Sequence, residues 1–195
     1  LTIEEFKPNV VIHAAAITDI DLCEKQPELA HDVNVKATQN LVSALPNKCL
    51  LIYISTDQVY PDTSGPHREG SEKPCNTYGI TKLLGEQAAE GHNNTLILRT
   101  NIFGASRSPN RESLSDFFIN RMTDKKDIIL FKDVWFSPVH MRTLAEVIME
   151  MISQGVTGVF NLGSREGMSK ADFALSIARH MQLSTKTARV GISSQ

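Results

Sequence analysis

Tyr78 and Lys82 are the two residues of this sequence whose types and spacing best suit proton transfer. They lie four positions apart at the start of a predicted helix, so their side chains share one helix face. An isolated tyrosine has a pKa of ~10, and a neighbouring ammonium group lowers it because it stabilises the phenolate. A Tyr-x-x-x-Lys pair can therefore act as a general acid or base in hydride chemistry. The alternative is an ordinary pair on a helix surface.

Thr56 adds a hydroxyl group that suits the same chemistry. It follows a buried apolar run at residues 50–54, and Asp57 lies beside it. A hydroxyl at the end of a strand can hold a substrate carbonyl oxygen while the phenol of Tyr78 protonates it. The alternative is that residues 55–57 form only a turn or a helix cap, which these residue types also favour.

Short apolar runs alternate with helical patterns along the first half of the chain. Residues 10–16, 50–54 and 95–98 are predicted strands, and residues 27–45 and 78–90 are predicted helices. This alternation predicts an α/β fold with a parallel sheet that has helices on both faces. Ligands of such sheets bind beyond the carboxyl ends of the strands. Residues 14–18, 55–58 and 100–104 are therefore the segments in which to expect a site.

The second half of the chain continues the pattern with shorter elements. Residues 114–122 are a predicted helix, and residues 128–131 and 159–162 are predicted strands. A capping-box pattern at Thr143 predicts the start of a helix that ends near Ser153. Ser169 is the predicted N-cap of the last long helix.

Composition excludes several classes of function. The 195 residues carry a net charge of −2 without a block of Lys or Arg, so we expect neither a nucleic acid nor a membrane surface as partner. The three cysteines and six histidines lack metal-ligand spacing, so we predict free thiols and no metal site. No apolar run approaches the roughly 20 residues that span a bilayer. We predict a cytoplasmic protein.

Five groups of residues follow one another at consistent spacing. They are Val11-Ile12-His13-Ala14-Ala15-Ala16, Asn34-Val35-x-Ala37-Thr38-x-Asn40-Leu41, Ser55-Thr56-Asp57-x-Val59-Tyr60, Tyr78-Gly79-x-x-Lys82 with Glu86, and Leu98-Arg99-Thr100-Asn101-x-Phe103-Gly104. Together they resemble the extended short-chain dehydrogenase/reductase family. The resemblance implies a Rossmann-type nucleotide-binding part over residues 1–135. It also implies a mixed segment over residues 136–195 that includes part of a small C-terminal substrate-binding lobe.

The resemblance implies roles for individual residues. The catalytic residues would be Thr56, Tyr78 and Lys82. The residues that bind NADP or NAD would be Ala14, Ala15, Ala16, Asn34 and Thr100, together with Tyr78 and Lys82. The substrate-binding residues would be Thr56, Asp57 and Asn101. Small alanine side chains would let the cofactor approach the backbone, and Lys82 would also hold the nicotinamide ribose.

Gln58 favours one branch of this family. Sugar-nucleotide dehydratases resemble this stretch but carry a carboxylate where Gln58 stands, and an amide cannot exchange a proton near neutral pH. The loop Gly65-Pro66-x-x-Glu69 is instead similar to that of dTDP-4-dehydrorhamnose reductases. Two features depart from the pattern of those reductases. Gln58 stands where they often have an aromatic residue, and the turn at residues 101–104 is one residue shorter than theirs.

The resemblance therefore predicts NAD(P)H-dependent reduction of a 4-keto-6-deoxy sugar nucleotide, in nucleotide-sugar and polysaccharide biosynthesis. Two alternatives stay open: another sugar-nucleotide reductase or epimerase of the family, or a non-catalytic regulatory subunit similar to the β subunit of methionine adenosyltransferase. A homodimer is also compatible with the sequence.

The family's glycine-rich phosphate-binding fingerprint does not occur in these 195 residues. We expect it, with the residue that selects NAD or NADP, to precede Leu1 in a longer chain, together with the first βαβ unit of the fold. The substrate-binding lobe is likewise expected to extend beyond Gln195. The 195 residues alone are expected to bind cofactor weakly, because the pyrophosphate would lack its helix N-terminus.

Overall fold

A computed structural model describes residues 2–63, 65–108 and 111–193. The helices are α1 (Ile3–Phe6), α2 (Ile20–Lys25), α3 (Pro27–His31), α4 (Ala37–Ala44), α5 (Thr77–Glu90), α6 (Leu114–Thr123), α7 (Met141–Ser153) and α8 (Lys170–His180). The strands are β1 (Val10–His13), β2 (Leu50–Ser55), β3 (Thr95–Phe103), β4 (Ile128–Phe131), β5 (Trp135–Phe136), β6 (Pro138–His140), β7 (Gly158–Leu162), β8 (Met168–Ser169) and β9 (Ala188–Gly191). The chain forms two compact units, residues 1–100 with 151–162, and residues 101–150 with 163–195.

The first unit is built on a parallel sheet in the order β1-β2-β3-β7. Ile12 lies opposite Ile52, and Ile52 lies opposite Leu96, so the strands stay in register across the sheet. All six residues of β2 are buried, as expected for a strand that runs between two parallel neighbours. The prediction of a Rossmann-type α/β sheet is confirmed.

Apolar residues from the sheet and from the helices form the core of this unit. Leu51, Tyr53 and Ile97 from the sheet pack with Leu45, at the end of α4, and with Ala89 from α5. Because β2 and α5 share this core, the helix is fixed against the strand whose carboxyl end carries Thr56.

The helix predicted from Pro27 to residue 45 is not continuous. A π-helical segment, Asp32–Lys36, separates α3 from α4. Asn34 and Val35 of this segment are buried, although a surface position would be expected for an asparagine within a helix. The wider turn of a π-helix carries one additional residue, and such turns occur often at functional sites.

The second unit is held by an aromatic core and by short strand pairs. The last residues of β3 pair with β6, β4 pairs with β9 in parallel, and β5 pairs with β8 in antiparallel fashion. Phe173 on α8 lies at the centre, with ring centroids 5.1 Å from Phe103 and 5.2 Å from Phe136. Phe118, Met122 and Leu130 complete this buried cluster.

Two boundaries differ from the sequence-based predictions. α7 begins at Met141, so Thr143 lies inside the helix and does not cap it. The predicted division between residues 135 and 136 falls inside the second unit. The reason is that β7 returns to pair with the first part of β3, so the chain enters the first unit twice. Ser169 is the N-cap of α8, as predicted, and its side chain accepts from the backbone N–H of Asp172.

Candidate active site

Thr56 lies directly after β2, at the carboxyl end of the sheet of the first unit. It is only 5% exposed, and its Oγ1 accepts a hydrogen bond from the backbone N–H of Gln58 at 3.2 Å, so it caps the 3-10 turn Asp57–Val59. The hydroxyl proton is directed to Asp57 Oδ1 over 3.4 Å. A contact of that length is weak. The hydroxyl can therefore donate to a substrate oxygen instead.

The first turn of α5 packs against this 3-10 turn. Asn76 caps α5 by accepting from the N–H of Gly79 at 2.7 Å, and its Nδ2 donates to Gln58 Oε1 at 2.9 Å. A Cβ atom at Gly79 would lie 2.2 Å from the carbonyl oxygen of Gln58, so this approach requires glycine. The contact places the turn that follows Thr56 beside the helix turn that carries Tyr78.

Lys82 reaches from α5 to the end of β2. Its Nζ donates to the carbonyl oxygen of Ile54 at 2.8 Å and lies 4.0 Å from the ring centroid of Tyr53. The side chain is 2% exposed. Burial lowers the pKa of Lys82 to about 8, against the opposing effect of the Glu86 carboxylate one helical turn away. An ammonium group with this pKa can gain and lose a proton close to neutral pH.

Tyr78 lies one turn before Lys82 on the same helix. It is 9% exposed and packs against Cys23 and Ala30, with Ile17 beside them. The structure thus places Thr56 directly after β2, and Tyr78 and Lys82 on the helix whose first turn packs against the turn that follows Thr56. Their catalytic roles remain predictions.

Asn34 joins the segment after β1 to α5. Its side chain accepts from the N–H of Ile17 at 2.8 Å and donates to the carbonyl oxygen of Ile17 at 3.1 Å. The same amide nitrogen donates to Thr81 Oγ1 at 3.0 Å, and the Thr81 hydroxyl donates to the carbonyl oxygen of Tyr78. Asn34 therefore fixes the chain beyond residues 14–16 relative to the helix that carries Tyr78. Sequence reasoning assigned it to the cofactor side of the site, and that role remains a prediction.

The predicted cofactor residues after β1 and at the end of β3 suit a nicotinamide nucleotide. Ala14 and Ala15 are exposed and Ala16 is half-buried, so only methyl groups separate the backbone from a ligand at this edge. Thr100 is 5% exposed, and its Oγ1 has no hydrogen-bond partner among the described residues. A buried hydroxyl without a partner is unfavourable, and the amide and hydroxyl groups of such a cofactor can satisfy it.

The two remaining predicted substrate residues lie in different units. Asp57 is half-buried in the 3-10 turn of the first unit. Asn101 is half-buried in the second unit, where it pairs with Pro138 of β6.

Sequence reasoning missed a buried polar network at the middle of β3. Its centre is Arg99, 5% exposed, whose guanidinium donates to both carboxylate oxygens of Glu86 at 2.6 to 3.2 Å. The guanidinium also donates to Tyr60 Oη at 2.8 Å and to the carboxylate of Glu72. Ser55 donates to the carboxylate of Glu86 from the end of β2. We call these five residues the Arg99 network.

The Arg99 network continues to β7 through Asn161. The hydroxyl of Tyr60 donates to Asn161 Oδ1 at 2.7 Å, and the backbone N–H of Asn161 donates to Glu69 Oε1 at 2.7 Å. Asn161 Nδ2 donates to the carbonyl oxygen of His67 at 3.3 Å, and the His67 ring stacks on Tyr60. A signal for this network was present: Arg99 follows the apolar run at residues 96–98, and an arginine there requires buried partners.

Neither a metal cluster nor a membrane span is found in the part of the chain that the structure describes. No group of three or more His, Cys, Asp or Glu side chains within residues 2–63, 65–108 and 111–193 could hold a metal ion. Within the same ranges, no helix has the length and apolar character needed to cross a bilayer.

The chain matches the family described as RmlD substrate binding domain over residues 1–194. It is 30% identical to methionine adenosyltransferase 2 subunit beta of Xenopus laevis over 208 residues, which cover 96% of this chain and 59% of that protein. It is also 30% identical to the probable low-salt glycan biosynthesis reductase Agl14 of Haloferax volcanii, with 90% of this chain and 60% of that protein covered. The chain thus spans about three fifths of the length of these curated relatives.

A solved structure shows the same fold. The dTDP-4-dehydrorhamnose reductase of Bacillus anthracis str. Ames, in complex with NADP, matches with a TM-score of 0.90 at 25% sequence identity. The match covers 98% of this chain and 68% of that chain.

Proposed function

Because this chain belongs to the RmlD substrate binding domain family, within the extended short-chain dehydrogenases/reductases, we propose that the protein is an NADP- or NAD-dependent reductase of sugar nucleotides. The proposed substrate is a 4-keto-6-deoxy sugar linked to a nucleoside diphosphate. The observation that carries the proposal is the hydrogen bond from Lys82 Nζ to the carbonyl oxygen of Ile54. It ties the helix that bears Tyr78 to the strand end that bears Thr56.

Each residue of the site has its own role in the proposed reaction. Hydride transfer to the carbonyl carbon is the chemistry that a reduced nicotinamide, held by the residues named below, would supply. The Thr56 hydroxyl donates a hydrogen bond to the carbonyl oxygen and orients it, and the Tyr78 phenol gives that oxygen a proton. The Lys82 ammonium stabilises the phenolate that Tyr78 leaves behind. General acid catalysis of this kind contributes about 10²–10⁴-fold to the rate.

Cofactor binding is proposed for the edge formed by residues 14–16, Asn34 and Thr100. The exposed Ala14 and Ala15 leave room beside the backbone, and the Thr100 hydroxyl, which has no hydrogen-bond partner within the described ranges, gives a polar group of the cofactor a bonding site. Lys82 would hold the nicotinamide ribose from the side of α5.

The proposal is tested by mixing the full-length protein with reduced cofactor and a dTDP-4-keto-6-deoxy sugar. We expect the absorbance of the reduced nicotinamide to fall, with a reduced sugar nucleotide as product. NADPH and NADH are compared in parallel. The absence of cofactor oxidation with several keto sugar nucleotides would contradict the proposal.

A regulatory role is the second candidate, because a relative at 30% identity over 96% of this chain is named as a methionine adenosyltransferase subunit. In that case the protein would bind a catalytic partner and leave reduced cofactor unchanged. Mixing the full-length protein with a methionine adenosyltransferase catalytic subunit and measuring complex formation by analytical ultracentrifugation distinguishes the two functions. A complex without turnover of keto sugars favours regulation, and turnover without a complex favours the reductase.

A further inference from the structure

The Arg99 network is unusual because it buries full charges in the core of the first unit. Arg99 and Glu86 are 5% and 2% exposed, and their ion pair spans 2.6 Å. Although burial opposes the charged form, the hydrogen bonds to Glu86 and Tyr60 raise the pKa of Arg99, so it stays a cation. A buried ion pair often stabilises a fold no better than apolar residues of the same volume. The network therefore calls for another explanation.

Each main member of the network adjoins a residue of the candidate active site. Ser55 immediately precedes Thr56, and Arg99 immediately precedes Thr100. Glu86 lies one helical turn after Lys82 on α5. Movement of the ion pair would therefore move the residues on which the proposed chemistry depends.

The network also contacts the loop that follows the 3-10 turn. Tyr60 precedes this loop and Glu72 lies within it, and both contact Arg99. Within the loop, Glu69 accepts from the backbone of Asn161, and the carbonyl oxygen of His67 accepts from its side chain. The loop thus has anchors on β3 and on β7, in addition to its connection to β2.

We propose that Arg99 is a positioning residue, whose guanidinium fixes the end of β2 and the loop segment at residues 67–73 relative to α5 and so sets Thr56 against Tyr78 and Lys82. The role in turnover depends on the function proposed above; the role in loop order does not.

An arginine suits this task better than a lysine. Its planar guanidinium has five N–H donors in a fixed geometry, whereas a lysine ammonium is a point charge on a flexible stem. Arg99 directs donors to three side chains at once, namely Glu86, Tyr60 and Glu72. A lysine at this position keeps the charge that balances Glu86 but cannot reach all three partners.

The test compares Arg99→Lys and Ser55→Ala with the wild-type full-length protein. A misplacement of reacting groups by about 1 Å costs about 10²-fold in rate, so Arg99→Lys is expected to lower kcat by about that factor. KM for the sugar nucleotide and the affinity for reduced cofactor should change less than about threefold. Ser55→Ala, which keeps the ion pair and removes one hydrogen bond to Glu86, should lower kcat by a smaller factor than Arg99→Lys does. Hydrogen exchange of the amides of residues 67–73 should quicken in Arg99→Lys.

Thr95→Val is the matched control. Thr95 is also buried, and its hydroxyl donates to the carbonyl oxygens of Ala89 and His92, at the first residue of β3 and four positions before Arg99. A purely structural role of buried polar groups predicts similar effects at both positions of the strand. The positioning role predicts that Thr95→Val lowers thermal stability with kcat unchanged.

Two results would overturn the inference: a kcat of Arg99→Lys within twofold of wild type, or unchanged exchange at residues 67–73. If Arg99→Lys does not fold, Tyr60→Phe replaces it, because it keeps the ring and removes only the hydroxyl between Arg99 and Asn161. Faster loop exchange in Tyr60→Phe supports the inference, and unchanged exchange overturns it. If the wild-type protein has no turnover, the proposed function fails, and the exchange comparison alone decides the positioning role.

Discussion

The two units of this protein fill their interiors with different chemistry. At the carboxyl ends of β2 and β3, the first unit buries Thr56, Lys82, Glu86 and Arg99. The second unit buries apolar residues, and Phe173 packs edge-on against neighbouring aromatic rings. Aromatic packing of this kind adds stability, whereas buried charges are costly unless each is paired. The difference is expected if the first unit carries the reactive groups proposed above, while the second unit is packed for stability.

The largest effect is expected from Tyr78→Phe, which separates activity from stability in the first unit. Turnover of the full-length protein should fall by about 10²–10⁴-fold, because the phenol is the proposed proton donor. The phenyl ring still fills the space beside Cys23 and Ala30, so the thermal unfolding midpoint and the cofactor affinity should change little. Steady-state kinetics and a binding titration of reduced cofactor measure the two effects. Wild-type turnover in the variant would exclude Tyr78 as the acid.

In the second unit, Phe173→Ala should lower stability, which Tyr78→Phe leaves nearly unchanged. Removing this ring, which is 4% exposed, creates a cavity and should lower the free energy of unfolding by about 3–5 kcal/mol. Urea denaturation followed by circular dichroism measures the loss. Phe6→Ala is the control, since Phe6 is 68% exposed and its removal should change stability by less than about 0.5 kcal/mol. Both variants should keep their affinity for reduced cofactor. Loss of that affinity in Phe173→Ala would contradict the assignment of cofactor binding to the first unit and of stability to the second.

The smallest effect is a dependence on pH that should arise in the first unit. Burial lowers the pKa of Lys82 from 10.5 to about 8, partly opposed by Glu86 on the same helix. Tyr53 and His13 also lie near it, as does Tyr78 one turn before it on α5, and burial and the Lys82 charge lower the pKa of His13. Because the mechanism uses the ammonium form of Lys82, kcat should fall as the pH rises through about 8, by about tenfold per unit.

The free energy of unfolding should rise over the same range of pH in which kcat falls. Between pH 8 and 10.5 the unfolded chain keeps the Lys82 proton while the folded protein has lost it. The unfolded state then binds more protons, so the contribution of Lys82 to the free energy of unfolding rises with pH. Urea denaturation of wild type and Lys82→Met at several pH values isolates this contribution. A free energy of unfolding of wild type, taken relative to that of Lys82→Met, that fails to rise between pH 8 and pH 10 would contradict the assignment.

Local sequence patterns were sufficient for most of the first unit. Apolar runs without alternation predicted β2 and the first part of β3, because both strands lie between parallel neighbours. The Tyr-x-x-x-Lys spacing placed Tyr78 and Lys82 on one face of α5. These features depend on residues close together in the chain, and so they can be predicted from it.

The parts that sequence reasoning missed depend on distant residues. Arg99 pairs with Glu72 and Tyr60, which precede it by 27 and 39 positions, and no local periodicity indicates such a pairing. The π-helical segment at Asn34 was also missed, because its partners are Ile17 and Thr81. The short strands β5 and β8 contain two residues each and pair only with one another, which is too little for a periodic signal.

The π-helical segment Asp32–Lys36 has a consequence for how this protein tolerates changes of length. The widened turn holds one residue more than an α-helical turn, so the segment takes up an additional residue without rotating α3 relative to α4. Deleting Asn34 would let the segment close into a regular α-helix, and the side chains of α3 and α4 would keep their present faces. The hydrogen bonds to Ile17 and Thr81 would be lost. The deletion would thus act at a distance, by releasing the segment after β1 from the helix of Tyr78.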